Sequence, residues 1–327
     1  MDDVVSRSNA LATQGRTVEA ALLLERSAAA GDARAALTLA YWRLQGNLIR
    51  RDLEIARELF GKAADLGLAD AEPIYIALLG NGAGSSGRSW VEALARLQRG
   101  AEKDLDAASQ LALLADMSID EHGEPISPLH GKELRSAPEI RHFPSFLTST
   151  ECAYVISHAL PRLQPSVVVH PTTRALIQDA VRTSTVAVFP FIEENPVLHA
   201  INRRIAAATG TRYEQGEPLQ VLSYEPGQQY KLHSDTLPGH VNQRILTFLV
   251  YLNHAYQGGE TVFPDLNLSF RGAAGDGLLF CNVTADAVPH PHARHAGLPV
   301  TRGQKLLLSK WIRAQPLELA GPAGRPL

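Results

Sequence analysis

The chain has 327 residues, 45% of them hydrophobic, with 31 Lys and Arg against 34 Asp and Glu for a formal net charge of −3. That length exceeds one typical small domain and points to two. The near-neutral balance, with basic residues spread along the chain, argues against a nucleic-acid partner. Cys152 and Cys281 are the only cysteines and form no CxxC pair. They predict small buried hydrophobes in a reducing compartment rather than a disulfide framework or zinc knuckle. The N-terminal "MDDVVSRSNALATQ" lacks the apolar core of a signal peptide, and no apolar run approaches the roughly 18 residues of a membrane span. The expectation is a soluble cytoplasmic protein with no membrane partner.

The first 115 residues are rich in Ala and Leu at helical spacing, and they repeat. Aligning "RSAAAGDARAAL", "GKAADLGLADAEP" and "QRGAEKDLDAASQL" superimposes Ala28, Ala64 and Ala101, then Gly31, Gly67 and Asp104, then Ala35, Ala71 and Ala108. Small residues recur where two helices must approach closely, and a Gly falls at the turn in two of the three copies. Such a period marks a stacked array of helical hairpins. Residues 17–115 resemble the Sel-like branch of the tetratricopeptide repeats. "LLGNGAGSSGRSW", residues 78–90, reads as the loop between the second and third units.

"SIDEHGEPISPLHGKELRSAPE" separates the halves as a linker or small hairpin. "FPSFLTSTECAYVISHAL" then opens a helix in which Thr148 and Glu151 have the spacing of a capping box. After a second amphipathic helix, "NPVLHAINRRIAAATG", come short strands: "PLQVLSY", "QYKLHSD", "RILTFLVYLN", "GETVFP", "DGLLFCN" and "QKLLLSKWIR", separated by Gly-containing turns. This pattern predicts a β-sandwich or barrel with helices packed on one side.

Alternate strand residues share a face, so His233 and Asp235 project together with Lys231 beside them, while Tyr230 alternates away as a packing residue. One imidazole and one carboxylate are two thirds of a 2-His-1-carboxylate iron(II) centre, which leaves coordination positions open. His254, His290, His292 and His295 are candidates for the third ligand. Of these, His295 precedes a Gly-containing turn and a long strand with a basic-aromatic ending. His292 lies close enough in sequence to remain an alternative. His240, His254 and His290 otherwise read as loop or surface histidines. On the last strand Lys305, Leu307, Ser309 and Trp311 share one face, with Lys310 opposite as a surface lysine. A desolvated Lys305 requires an anionic partner, which a dicarboxylate cosubstrate would provide.

"LQVLSYEPGQQYKLHSD", "RILTFLVYLN", "GGETVFP", "GDGLLFCN" and "RHAGLPVTRGQKLLLSKWIR", with "FPSFLTSTEC" and "VRTSTVAVF" upstream, resemble the core of the prolyl 4-hydroxylase family of iron(II)- and 2-oxoglutarate-dependent dioxygenases. The resemblance implies a double-stranded β-helix (jelly-roll) in which His233, Asp235 and His295 ligate Fe(2+) as the catalytic centre. It implies that Lys305 pairs with the distal carboxylate of 2-oxoglutarate, that Tyr224 hydrogen-bonds to this cosubstrate, and that Tyr251 and Thr247, on one strand face, line the same pocket. Arg182 of the "RTS" segment matches a family position near the substrate entrance. The family's reaction consumes O2, decarboxylates 2-oxoglutarate to succinate and hydroxylates an unactivated C–H bond, with L-ascorbate as a further implied cofactor. Asp235 argues against a halogenating variant, where a small residue replaces the carboxylate.

The fold class is therefore α+β multidomain: a helical-repeat array over 1–115, a linker over 116–137, a dioxygenase barrel with supporting helices over 138–314 and a tail over 315–327. The function expected is hydroxylation of a prolyl or other residue of a protein or peptide held by the repeats. The alternatives are hydroxylation of a small molecule or peptide natural product, and a repeat-mediated interaction protein with an accessory barrel. Substrate choice is expected to lie in "VVVHPTTRALIQDA" and "TLPGHVNQ".

Overall fold

The computed structural model describes residues 3–85, 87–127, 129–166, 168–169, 176–177, 181–319, 321 and 324. "VVVHPTTRALIQDA" lies almost wholly outside them. The chain divides into two compact units, one of residues 1–126, 190–201 and 318–327, the other of 127–189 and 202–317. Among the described residues no helix is long and apolar enough to cross a membrane.

The first unit contains α1 (Val4–Thr13), α2 (Thr17–Ala29), α3 (Ala33–Gln45), α4 (Leu53–Asp65), α5 (Glu72–Asn81), α6 (Trp90–Gly100) and α7 (Leu105–Asp116). The aligned triplets fall at corresponding places in three successive helical hairpins. Ala28 and Ala64 lie near the ends of α2 and α4, Gly31 and Gly67 in the tight turns, and Ala35 and Ala71 where the return helices begin. Gly31 and Gly67 adopt φ of 96° and 85°, which a side chain would disfavour. Ala28, Ala35 and Ala71 are buried, consistent with helices packed closely over small side chains. Asp32, Asp52 and Asp104 accept backbone N–H bonds as caps of α3, α4 and α7. The expected loop begins later than residue 78, because α5 continues to Asn81.

The second unit contains α8 (Ser149–Ala159) and strands β1 (Lys132–Ser136), β2 (Glu139–Phe143), β3 (Gln164–Pro165), β4 (Val168–Val169), β5 (Leu176–Ile177), β6 (Thr185–Phe189), β7 (Leu219–Tyr224), β8 (Tyr230–His233), β9 (Arg244–Tyr251), β10 (Tyr256–Gly258), β11 (Thr261–Phe263), β12 (Leu268–Phe270), β13 (Gly277–Cys281), β14 (His295–Gly297), β15 (Val300–Gly303) and β16 (Lys305–Arg313). Helix α9 (Pro196–Thr209) is divided between the units. An eight-stranded sheet has the order β1-β2-β13-β9-β16-β7-β6-β3, and a four-stranded sheet the order β12-β11-β14-β8. Phe263 of the smaller sheet shares a core with Leu222, Leu249, Tyr251 and Phe280 of the larger, so the two antiparallel sheets enclose one interior as in a jelly roll. The stretch expected as a linker contains β1, which pairs with β2 at the sheet edge.

The capping box on α8 is present. Thr148 Oγ1 accepts from Glu151 N, and Glu151 accepts from Thr148 N at 2.8 Å. Glu151 also receives two bonds from Arg204, tying α9 to α8. Lys310 corrects the sequence expectation: it is 3% exposed. Strand β16 is central, flanked by β7 and β9, and Lys310 on its other face is covered by the Tyr213 ring and by Gly216, where an added Cβ would overlap Lys310 Cε. A strand buried on both faces loses the alternation that marks a surface residue.

Candidate active site

The structure brings His233, Asp235 and His295 together, each offering a ligand atom within 4.8 Å of the others. His233 ends β8 and His295 begins β14, and the two stand opposite each other in the ladder. Asp235 lies just beyond β8, so the chain's turn after the strand, rather than strand alternation alone, carries the carboxylate inward. His233 Nε2 is 3.5 Å from Asp235 Oδ1, and His295 Nε2 is 3.7 Å from Oδ2. Of the other candidate histidines, His240, His254 and His292 are exposed and His290 is partly so.

The tautomers suit a metal. His233 Nδ1 lies 2.8 Å from Lys231 O and His295 Nδ1 lies 3.0 Å from Ala293 O. A carbonyl only accepts, so each Nδ1 carries the proton and each Nε2 presents its lone pair to the cluster. Burial pushes the His295 pKa down to about 4, with Asp235 opposing, so the imidazole is neutral at physiological pH. Burial alone would raise the Asp235 carboxyl, but His295, His233 and the Thr247 hydroxyl outweigh it and hold it below the usual carboxylate range. Two Nε2 donors and an ionised carboxylate fit iron(II).

Lys305 lines the same cavity as the triad, with Tyr224, Thr247, Thr261 and Trp311. It is 2% exposed and donates to Gly259 O at 2.7 Å. Its Nζ lies 5.5 Å from the Tyr224 ring centre and 5.2 Å from that of Tyr251, which helps a buried cation persist. Burial lowers its pKa to about 7. Tyr224 is buried, and burial raises its pKa.

Several sequence expectations change. Tyr251 is fully buried beside the cavity rather than among its lining residues, and its hydroxyl pairs with Thr261 Oγ1 at 2.7 Å. Thr247 does line the cavity, but it donates to Asp235 Oδ2 at 2.6 Å. Tyr230 is not a remote packing residue. It lines the cavity and stacks on His233, with ring centres 3.4 Å apart at 13°. The cause is a break in strand register: His295 pairs with His233, but Gly297 pairs with Tyr230, so one extra residue is taken up on β8. A bulge of this kind brings residues of opposite parity to one face. The Lys231 side chain is exposed, while its backbone carbonyl accepts from His233 Nδ1. Arg182 is buried outside the lining, 5.3 Å from the Tyr230 ring centre, and its Nε and Nη2 have no hydrogen-bond partner among the described residues.

Two antiparallel sheets around a His-Asp-His cluster with a buried lysine define a class, and residues 219–313 match the model of the 2OG-Fe(II) oxygenase superfamily. The chain is 34% identical over 213 residues to Prolyl 4-hydroxylase 2 of Arabidopsis thaliana, covering 57% of this chain and 71% of that one. It is 33% identical over 226 residues to Probable prolyl 4-hydroxylase 4 of the same plant, covering 61% and 76%. A viral collagen prolyl hydroxylase from Paramecium Bursaria Chlorella virus-1, solved as its 2OG complex, aligns with a TM-score of 0.44 at 27% identity over 54% of this chain and 96% of that one. The chain belongs to the prolyl 4-hydroxylase family and is a 2-oxoglutarate-dependent dioxygenase.

Proposed function

We propose that the protein hydroxylates a prolyl residue of a protein or peptide, with His233, Asp235 and His295 as the iron ligands. The observation that carries the ligand assignment is the convergence of two Nε2 atoms and one ionised carboxylate in the cavity that also holds Lys305. The prolyl substrate rests on the relatives' own names. The reaction balances as 2-oxoglutarate, O2 and a C–H bond giving succinate, CO2 and a C–OH. Bound iron(II) would supply the open positions at which cosubstrate and O2 meet.

The protein's own contribution is to hold and orient. Lys231 O and Ala293 O fix the imidazole tautomers, and Thr247 anchors the carboxylate. Lys305 offers its ammonium to the distal carboxylate of 2-oxoglutarate, and Tyr224 its hydroxyl to the same molecule. Tyr251 acts through Thr261 and the face of its ring toward Lys305. Arg182, with two donor atoms unpartnered among the described residues, is assigned to the substrate side. The helical hairpins are Sel-like repeats that bind the polypeptide around the target proline; a groove lined by Glu54, Arg57, Glu58 and Tyr75 offers one surface for it. L-ascorbate dependence rests on the family resemblance. The free thiols of Cys152 and Cys281 support a reducing, cytoplasmic setting.

Incubation with prolyl peptides, iron(II) and 2-oxoglutarate is expected to give 4-hydroxyproline in step with succinate, with free proline left unmodified. A long polypeptide should show a lower KM than a short peptide cut from it. Hydroxylation of free proline in preference to any peptide would overturn the polypeptide reading.

A further inference from the structure

We propose that Asn282 is a positioning residue for the metal centre, acting through Thr247 on Asp235. This rests on reading His233, Asp235 and His295 as the metal ligands. Asp235, Thr247 and Asn282 are 4%, 1% and 1% exposed, so no water shell averages their contacts.

Donor and acceptor chemistry gives the chain one direction. An ionised carboxylate only accepts, so the single Thr247 hydroxyl proton goes to Asp235 Oδ2 at 2.6 Å. Thr247 Oγ1 can then only accept, and Asn282 Nδ2 donates to it at 2.9 Å. The amide orientation follows: turned over, Asn282 Oδ1 would face an oxygen whose proton is already committed. The orientation leaves Asn282 Oδ1 buried without a hydrogen-bond partner among the described residues. A buried unsatisfied oxygen is destabilising, and it is accounted for by the donor on the other side of the same amide.

The backbone holds the relay in place. Asn282 N donates to Ile245 O at 2.8 Å, and Asn282 O accepts from His290 N at 2.9 Å. Phe280, two residues earlier, stands opposite Thr247 in the β13–β9 ladder. With Oδ2 held by Thr247, the carboxylate cannot turn without breaking this bond, and Oδ1 is the oxygen left for the cation. Outer partners of this kind orient a metal ligand before the metal arrives.

The test titrates the metal-free full-length protein with cobalt(II), a spectroscopic stand-in for iron(II), reading both dissociation constant and visible absorption. Thr247→Val and Asn282→Leu are each expected to weaken binding about 10- to 100-fold and to change the spectrum. Asn282→Asp, which presents an acceptor where a donor is needed, should resemble Asn282→Leu. Thr247→Ser keeps the hydroxyl and should restore affinity. In a serial relay the double variant binds no more weakly than Thr247→Val alone. Wild-type cobalt affinity in a folded Asn282→Leu or Asn282→Asp protein overturns the proposal, and so does a double-variant loss equal to the two single losses combined. If neither Asn282 variant folds, as read by thermal melting without metal, Asn282 is a structural residue and the proposal falls. His233→Ala serves as the separate control: unweakened cobalt binding there refutes the ligand assignment itself.

Discussion

His295→Ala protein supplied with iron(II) and 2-oxoglutarate is expected to release no succinate above background, and His233→Ala likewise. Each substitution removes one of the two Nε2 atoms that lie 3.5 and 3.7 Å from the Asp235 carboxylate. The loss is expected to be complete because these donors are the only His, Cys, Asp or Glu cluster of its kind among the described residues, so no neighbour can take the place of either. His292, the nearest alternative in sequence, is exposed. Metal titration should show the loss at the binding step. Succinate release by His295→Ala equal to that of wild type would refute the triad.

Lys305→Ala is expected to raise the KM for 2-oxoglutarate about 10- to 150-fold while leaving metal affinity close to wild type. A charge-assisted hydrogen bond to a carboxylate is worth roughly 1.5–3 kcal/mol, and each 1.4 kcal/mol is tenfold. Burial places the Lys305 pKa at about 7, which sets the sign of a pH effect. Below that pH the ammonium is already charged, and the KM should be flat. Above it, binding a carboxylate dianion must first return a proton to Nζ, so the KM should climb by up to about tenfold per pH unit. Lys305→Ala should lack this limb. A variant that loses the metal but keeps its 2-oxoglutarate affinity would show that the lysine has been given the wrong task.

The parts of this molecule legible in the sequence are those set by local pattern. The offsets joining Ala28, Ala64 and Ala101 mark helical hairpins because close packing demands small residues at fixed places. Thr148 and Glu151 announce a cap that the structure contains. His233, Asp235 and His295 could be singled out because the motifs around them keep the order and character of a known family, and the structure gathers the three.

What escaped was set by tertiary context. Tyr230 reaches His233 through one extra residue in β8, and nothing in "QYKLH" shows a bulge. Lys310 is buried because Tyr213 and Gly216 cover the far face of β16, a fact stored elsewhere in the chain. Tyr251 and Thr247 stand on the expected strand, but Thr261 and Asp235 engage their hydroxyls. Asn282 closes the strand "DGLLFCN" as an unremarkable polar residue until Thr247 is placed beside it.

The measurement that bears most directly on the account is the fate of labelled dioxygen. With 18O2, iron(II), 2-oxoglutarate and a prolyl peptide, the balanced reaction delivers one labelled atom to succinate and the other to the new prolyl hydroxyl. The expected result is one label in each product, formed in equal amounts. A hydroxyl drawn from water, or a hydroxylated peptide formed without succinate, would contradict it.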